Sequence, residues 1–232
     1  MCRLLCVRSD EGFEDEGFET EAHLAALAHI ARHSDEYQGH GWGCAWIEAG
    51  RWRFHHAIAP IWEDAARPSR RTTLLVAHAR SAFRDEGIRV ENNMPFFDGE
   101  RVFAFNGELH GVRIKERGRI GAEKVFNFVK RFDRGDFRQA LERGLDAIER
   151  RTRYLRAANV LVAETPRRVY FASRFHEDPD YFQMHAARVG RARVLCSQPY
   201  PGGAEALGET GGRGRTIHPE WAPIENRSTG VL

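Results

Sequence analysis

What most narrows the folds open to this chain is the order of its apolar patterns: strand-length runs, then two amphipathic helices, then strand-length runs again. Gly43–Glu48, Arg51–Ile58, Thr72–His78 and Arg101–Phe105 form the first set. Glu48-Ala49-Gly50 predicts a hairpin turn between the first two runs. Ala122–Phe132 then places Val125, Phe126 and Val129 on one helical face. Asp136–Tyr154 repeats the pattern with Phe137, Leu141, Leu145 and Ile148, and Asp136 after Arg134-Gly135 predicts an N-cap. Strands resume at Asn159–Ala163, Val169–Ser173 and Arg193–Cys196. Ahead of all this, the acidic segment Asp10–Glu21 runs into a helix marked by Leu24, Leu27, Ala28 and Ala31. The glycine-rich stretch from Tyr200 to Arg215 predicts an exposed loop. Elements in this order predict mixed sheets and helices stacked as layers of one domain spanning residues 1–232.

A chain of 232 residues can bury a sizeable core, and 42% hydrophobic with 29% charged residues is ordinary for a globular enzyme. Apolar runs such as Thr73–Ala77 are too short to span a bilayer, and the N-terminus lacks a secretory pattern, so a cytoplasmic protein with no membrane partner is expected. Cys2, Cys6, Cys44 and Cys196 form no C-x-x-C pair, so neither a disulfide framework nor a metal site is expected, and no cofactor motif is present. Net charge is +2, and the bases, nearly all arginine, are interspersed with acids. That pattern does not indicate a nucleic-acid partner.

Candidate chemistry starts at Met1-Cys2-Arg3-Leu4-Leu5-Cys6. Methionine aminopeptidases tolerate a small second residue, so Cys2 is expected to become N-terminal, with a thiol and a free α-amine on one residue. The amine titrates near ~8 and a thiol near ~8.5, so the amine can accept its own thiol's proton. The apolar residues that follow predict a buried strand holding this nucleophile on a rigid element. Gly39-His40-Gly41-Trp42-Gly43 reads as a tight turn into a strand, or as a place where something approaches the backbone closely. Arg80, at the end of Val76-Ala77-His78-Ala79-Arg80, can fork onto a carboxylate, with His78 on the same strand face. Glu91-Asn92-Asn93-Met94-Pro95-Phe96 is a polar turn. Asn106-Gly107, ending the run Phe103-Ala104-Phe105, is by default a hairpin turn. Its functional alternative is an oxyanion hole made of the Asn106 amide and the Gly107 N–H.

In this order and spacing, these segments resemble the class II glutamine amidotransferases, N-terminal-nucleophile hydrolases whose first residue is cysteine. The similarity is greatest to the stand-alone branch that opens with Met-Cys-Arg-Leu-Leu and includes the ergothioneine-pathway amidohydrolase. Later segments match too: Asn159-Val160-Leu161-Val162, Tyr181-Phe182 before a helix, Cys196-Ser197-Gln198-Pro199, Trp221 ahead of Pro223, and Asn226. The resemblance implies an α+β fold, a four-layer αββα sandwich with two mostly antiparallel sheets between helix layers. It further implies Cys2 as nucleophile with its α-amine as base, Asn106 and Gly107 as oxyanion hole, and Arg80 as clamp for a substrate α-carboxylate. His78 and Asn92 would belong to the substrate-binding surroundings.

The departures concern the shell that holds substrate. Ile120-Gly121-Ala122-Glu123 stands where the family commonly has Thr-Asp-Ser-Glu, so the acid that receives the substrate's α-ammonium falls on Gly121 and is missing. Glu123 is the first candidate to replace it. Met94, His40 and Phe83 also depart from the usual histidine, aspartate and threonine. Three readings follow. The first is a glutamine amidotransferase that releases ammonia, for which an ammonia-accepting synthase would be a partner. The second is an amidohydrolase for a γ-glutamyl amide other than free glutamine. The third is a non-catalytic binding or regulatory subunit that kept the fold.

Overall fold

The computed structural model describes residues 1–13, 15–165, 168–200, 210–211, 215–216 and 219–232. Its core is a pair of antiparallel sheets. In the first, β15 (Ala222–Pro223), β11 (His185–Val189), β12 (Ala192–Cys196), β1 (Arg3–Ser9), β6 (Leu74–Ala79), β3 (Trp42–Glu48) and β4 (Arg51–Ala57) lie side by side in that order. In the second the order is β16 (Ser228–Val231), β10 (Arg168–Ser173), β9 (Tyr154–Thr165), β8 (Val102–His110) and β7 (Phe96–Phe97). Two short pairs stand apart: β2 (Phe18–Glu19) with β5 (Arg71–Thr72), and β13 (Thr210–Gly211) with β14 (Arg215–Thr216).

Alternation along each strand assigns the layers. In β1, Leu5 and Val7 pack with Leu24 and Leu27 of α1 (Thr20–Arg32), whereas Leu4 and Cys6 join Leu74, Val76 and the second sheet. On β8, Phe103 stacks on Phe126 of α2 (Gly121–Lys130) with centroids 4.5 Å apart, which turns Ala104 and Asn106 toward the first sheet. Helix α3 (Phe137–Arg150) packs tightly on α2, and a Cβ on Gly144 would lie 2.9 Å from Val129. The order is therefore α1, first sheet, second sheet, α2 with α3: the expected four-layer αββα sandwich. Burial of Leu141, Leu145 and Ile148 at 0–1% exposure holds the outer helices, each contributing ~1.5–3 kcal/mol.

Most expected elements form, with instructive shifts. The Glu48–Arg51 hairpin is present, and positive φ at Ala49 (49°) and Gly50 (71°) gives the turn the twist that two-residue hairpins need. Asp136 caps α3, its carboxylate accepting from the Gln139 N–H at 3.1 Å. Three expectations are corrected. Asn106-Gly107 does not close a hairpin: β8 continues through both to His110, each paired across to β9. Tyr154 does not end α3 but starts β9, because the Arg151 cap closes the helix first. The loop expected from Tyr200 to Arg215 lies mostly outside the described residues, and Tyr200 is buried, its hydroxyl 2.9 Å from His23 Nδ1. Tyr181 and Phe182 lie inside a one-turn helix, α4 (Pro179–Phe182), rather than before one.

Candidate active site

Strand register brings the sequence-derived residues together. β1 pairs with β6 so that Arg3 faces Ala79, which sets Cys2 beside Arg80 at the strand ends. The Cys2 thiol lies 3.4 Å from the Ser81 N–H and 3.5 Å from the Ser81 carbonyl. Burial pushes this thiol up, and the positive N-terminus, the Ser81 backbone and Arg80 pull it back. Cys6, Cys44 and Cys196 are buried, with Cys6 pushed up to about 12 by desolvation, which leaves Cys2 as the accessible thiol.

Arg80 is 5% exposed, yet no carboxylate pairs with it among the described residues. Its guanidinium donates only to Asn93 Oδ1 at 3.3 Å and to the Glu86 carbonyl at 3.4 Å. A buried cation held by neutral acceptors is poised for an anion. The glycine-rich turn supports it: the Arg80 N–H donates to the Gly41 carbonyl at 2.9 Å, and Gly41 has φ 106°. A Cβ there would meet Asn93 at 2.3 Å, so the close approach inferred from the glycines is made by Asn93. Asn92 instead braces the neighbouring loop, donating to the Gly87 carbonyl at 2.9 Å. That loop carries two consecutive non-glycine residues at positive φ, Arg84 (53°) and Asp85 (55°), a strained arch next to Cys2 and Arg80. His40 ties it down, accepting from the Ala82 N–H at 2.8 Å and lying 3.3 Å from Asp85.

Asn106 is fully buried, and neither its Oδ1 nor its Nδ2 has a hydrogen-bond partner among the described residues. Orphaned amides of this kind cost ~1–3 kcal/mol, which makes this side chain an unusual one to bury. Gly107 sits opposite Ala158, and any Cβ would lie 2.5 Å from the Ala157 carbonyl, so only glycine fits. His78 is also fully buried, without a partner of normal geometry for either ring nitrogen. Desolvation, then Arg80, push it down to about 3, against a weaker pull from the Phe105 backbone. It is a neutral packing residue between β6 and β8, not a base.

Sequence reading missed the group around Met1. The Met1 ammonium pairs with Glu36, and its carbonyl accepts from Gln38 and, at 2.9 Å, from the Tyr181 hydroxyl. Arg3 stacks over the Tyr181 ring at 4.1 Å and donates to Ser34 Oγ at 2.9 Å. With Met1 attached, the Cys2 nitrogen is an amide. No sequence signal marks Glu36 or Gln38, which follow α1 in an ordinary polar turn.

Glu123 is not a free acid. Arg119 donates to it at 2.7 Å, and this pairing holds its carboxyl below the usual range. Arg119 also donates to the Glu91 carbonyl. Gly121 opens α2 with no atom within 4 Å of a would-be Cβ and without a left-handed φ. The late motif residues are clasps: Ser197 Oγ accepts from the Leu4 N–H at 3.0 Å, Asn159 donates to the Phe182 carbonyl at 2.7 Å, and Asn226 bonds both backbone groups of Phe175.

No protein-family model and no curated protein sequence matches the chain. Solved structures do. A glutamine aminotransferase class-II domain protein from Silicibacter pomeroyi superposes with a TM-score of 0.58 at 15% identity, over 98% of this chain and 93% of that one. Glutamine phosphoribosylpyrophosphate amidotransferase from B. subtilis superposes at 0.56 and 15% identity over 84% of this chain, which spans only 42% of that larger enzyme. The fold is that of class II glutamine amidotransferase structures. No helix among the described residues is long and apolar enough to cross a membrane.

Proposed function

We propose that the chain is an N-terminal-nucleophile amidohydrolase of the class II glutamine amidotransferase type, cleaving a γ-glutamyl amide through a thioester on Cys2. The observation that carries this reading is the buried, carboxylate-free Arg80 beside the one accessible thiol, with the orphaned Asn106 amide on the facing sheet. Once Met1 is removed, the Cys2 α-amine takes the thiol proton as sulfur adds to the amide carbon. The oxyanion that forms accepts from the Asn106 amide and the Gly107 N–H, where one such donor is worth ~3 kcal/mol. Collapse transfers the proton to the departing nitrogen and leaves the γ-glutamyl thioester. Water, deprotonated by the same amine, then releases the acid and restores the thiol. Ammonia or an amine leaves, either to water or to an acceptor enzyme as partner.

A second reading concerns the substrate. Gly121 offers no acid and Glu123 is held by Arg119, so nothing in the shell inferred from the resemblance takes an α-ammonium. This favours a γ-glutamyl amide other than free glutamine. Ammonia or amine release across a panel of such amides tests both readings. A diazo-ketone analogue of glutamine should alkylate Cys2, seen by peptide mass. Labelling that persists unchanged in Cys2→Ala, or a panel without any turnover by the processed protein, refutes the enzyme assignment.

A further inference from the structure

On the outer helix layer, α2, α3 and the loop at residues 111–115 line an open cleft of about 580 Å3. Its lining is cationic: Arg113, Lys115, Arg131, Arg134, Arg143 and Arg151. Among the described residues one acid pairs with any of them, Glu116, 3.6 Å from Arg131. The neighbouring Asp133 is already held by Arg101 at 2.9 Å.

Part of this charge has a structural reason. Arg131 and Arg151 cap the C-termini of α2 and α3, and Arg134 donates to the carbonyls of Arg131 and Asp133, where helix ends carry about half a negative charge each. Arg113, Lys115 and Arg143 have no such reason and no ion pair among the described residues. Beneath them lies an apolar, aromatic floor. Phe128 is buried, with Arg131 and Arg151 at 5.7 and 5.9 Å from its ring, and Phe132 meets it edge-on at 5.4 Å.

Arginine and lysine side chains contributed by three elements suit phosphate oxygens, and flat faces of Phe132 and arginine suit an aromatic plane. The volume falls within the range of small-molecule sites. The whole chain carries a net charge of only +2, which does not mark it as a general nucleic-acid binder. We propose that the cleft binds a nucleoside di- or triphosphate, with the phosphates on Arg113, Lys115, Arg143 and Arg151 and the base against Phe132.

Isothermal titration of the full chain with ATP, tripolyphosphate and adenosine tests this. Saturable one-to-one binding of ATP is expected, about tenfold tighter than either fragment. Arg143→Glu and, separately, Lys115→Glu should each weaken ATP by about tenfold or more, as expected for loss of a charged contact. Arg138→Glu, exposed on α3 outside the cavity, should leave binding unchanged. Phe132→Ala should weaken ATP but not tripolyphosphate. Absence of saturable ATP binding, insensitivity to both charge reversals, tripolyphosphate binding as tight as ATP, or a short RNA binding more tightly than ATP would each overturn the assignment.

Discussion

Gly121→Asp separates the two substrate readings, and the structure lets its outcome be estimated. The residue is the first of α2, its φ is not left-handed, and a Cβ would meet nothing within 4 Å, so the side chain enters without strain. Replacing glycine and adding a carboxylate at a helix N-terminus together stabilise by about 1 kcal/mol, a rise in Tm of ~2–4 °C. If the new acid meets a substrate ammonium, a charged hydrogen bond of ~1.5–3 kcal/mol lowers the KM for glutamine ~10- to 150-fold. Turnover should change much less, since that contact exists in ground and transition states alike. Thermal melting and steady-state ammonia release read the two effects separately. A raised Tm with unchanged KM means the substrate amine does not lie near this helix end. A sub-millimolar KM for glutamine in the wild type refutes the altered-substrate reading outright. Glu123→Gln is the companion: because Arg119 already holds Glu123, KM should stay within about twofold, and a large rise would make Glu123 the ammonium partner after all.

The purified active protein should have the intact mass of a chain beginning at Cys2, and a variant that retains Met1 should release no ammonia, since the base is then an amide. Asn106→Ala should lower kcat by ~10²–10³-fold. Its Tm should stay within ~3 °C, because the amide it removes has no partner in the resting protein. His78 imposes a pH dependence on stability. Its folded pKa of about 3 lies below its ordinary 6.5, so the unfolded chain binds the extra proton between those values. Stability is therefore full above pH 6.5 and falls by ~1.4 kcal/mol per pH unit as pH drops through the window. Urea midpoints of His78→Gln should fall less steeply with acid than those of the wild type, and parallel curves would refute the neutral, buried assignment.

The layered fold was legible because long periodic segments carry it. Val125, Phe126 and Val129 on α2, and Leu141, Leu145 and Ile148 on α3, are apolar at helical spacing and all buried where they form one layer of the sandwich. β11 escaped notice because His185-Ala186-Ala187-Arg188 has little strand preference, and pairing on both sides by β12 and β15 overrides it. Asn106-Gly107 misled in the other direction. Turn chemistry is local, whereas β9 supplies a partner for every residue of β8 from Val102 to Glu108, and a sequence cannot display that partner. Cys2, Arg80 and Asn106 could be marked because each is an odd residue at the end of, or within, an apolar run. Glu36 and Gln38, from the turn after α1, and Tyr181, from α4, are far apart in sequence and meet around the chain's first residue.

The electrostatics around Cys2 bear on which protonation state attacks. Burial raises the thiol; in the chain that keeps Met1 the opposing pulls are the Met1 ammonium, the Ser81 backbone and Arg80. On the proposed mechanism, substrate binding places a carboxylate on Arg80 and so removes most of that cation's pull. Removal of Met1 takes its ammonium away, and the Cys2 amine, neutral when it acts as base, does not replace that charge. A standing thiolate–ammonium pair is therefore least favoured at the moment when substrate is bound. The reactive form is then a thiol beside a neutral amine, with proton transfer accompanying attack and the charge delivered directly to the oxygen that Asn106 and Gly107 receive. On this reading the orphaned Asn106 amide complements a nucleophile that stays protonated until it attacks. On the same proposed mechanism its unsatisfied donor lowers the energy of the state in which negative charge sits on that oxygen.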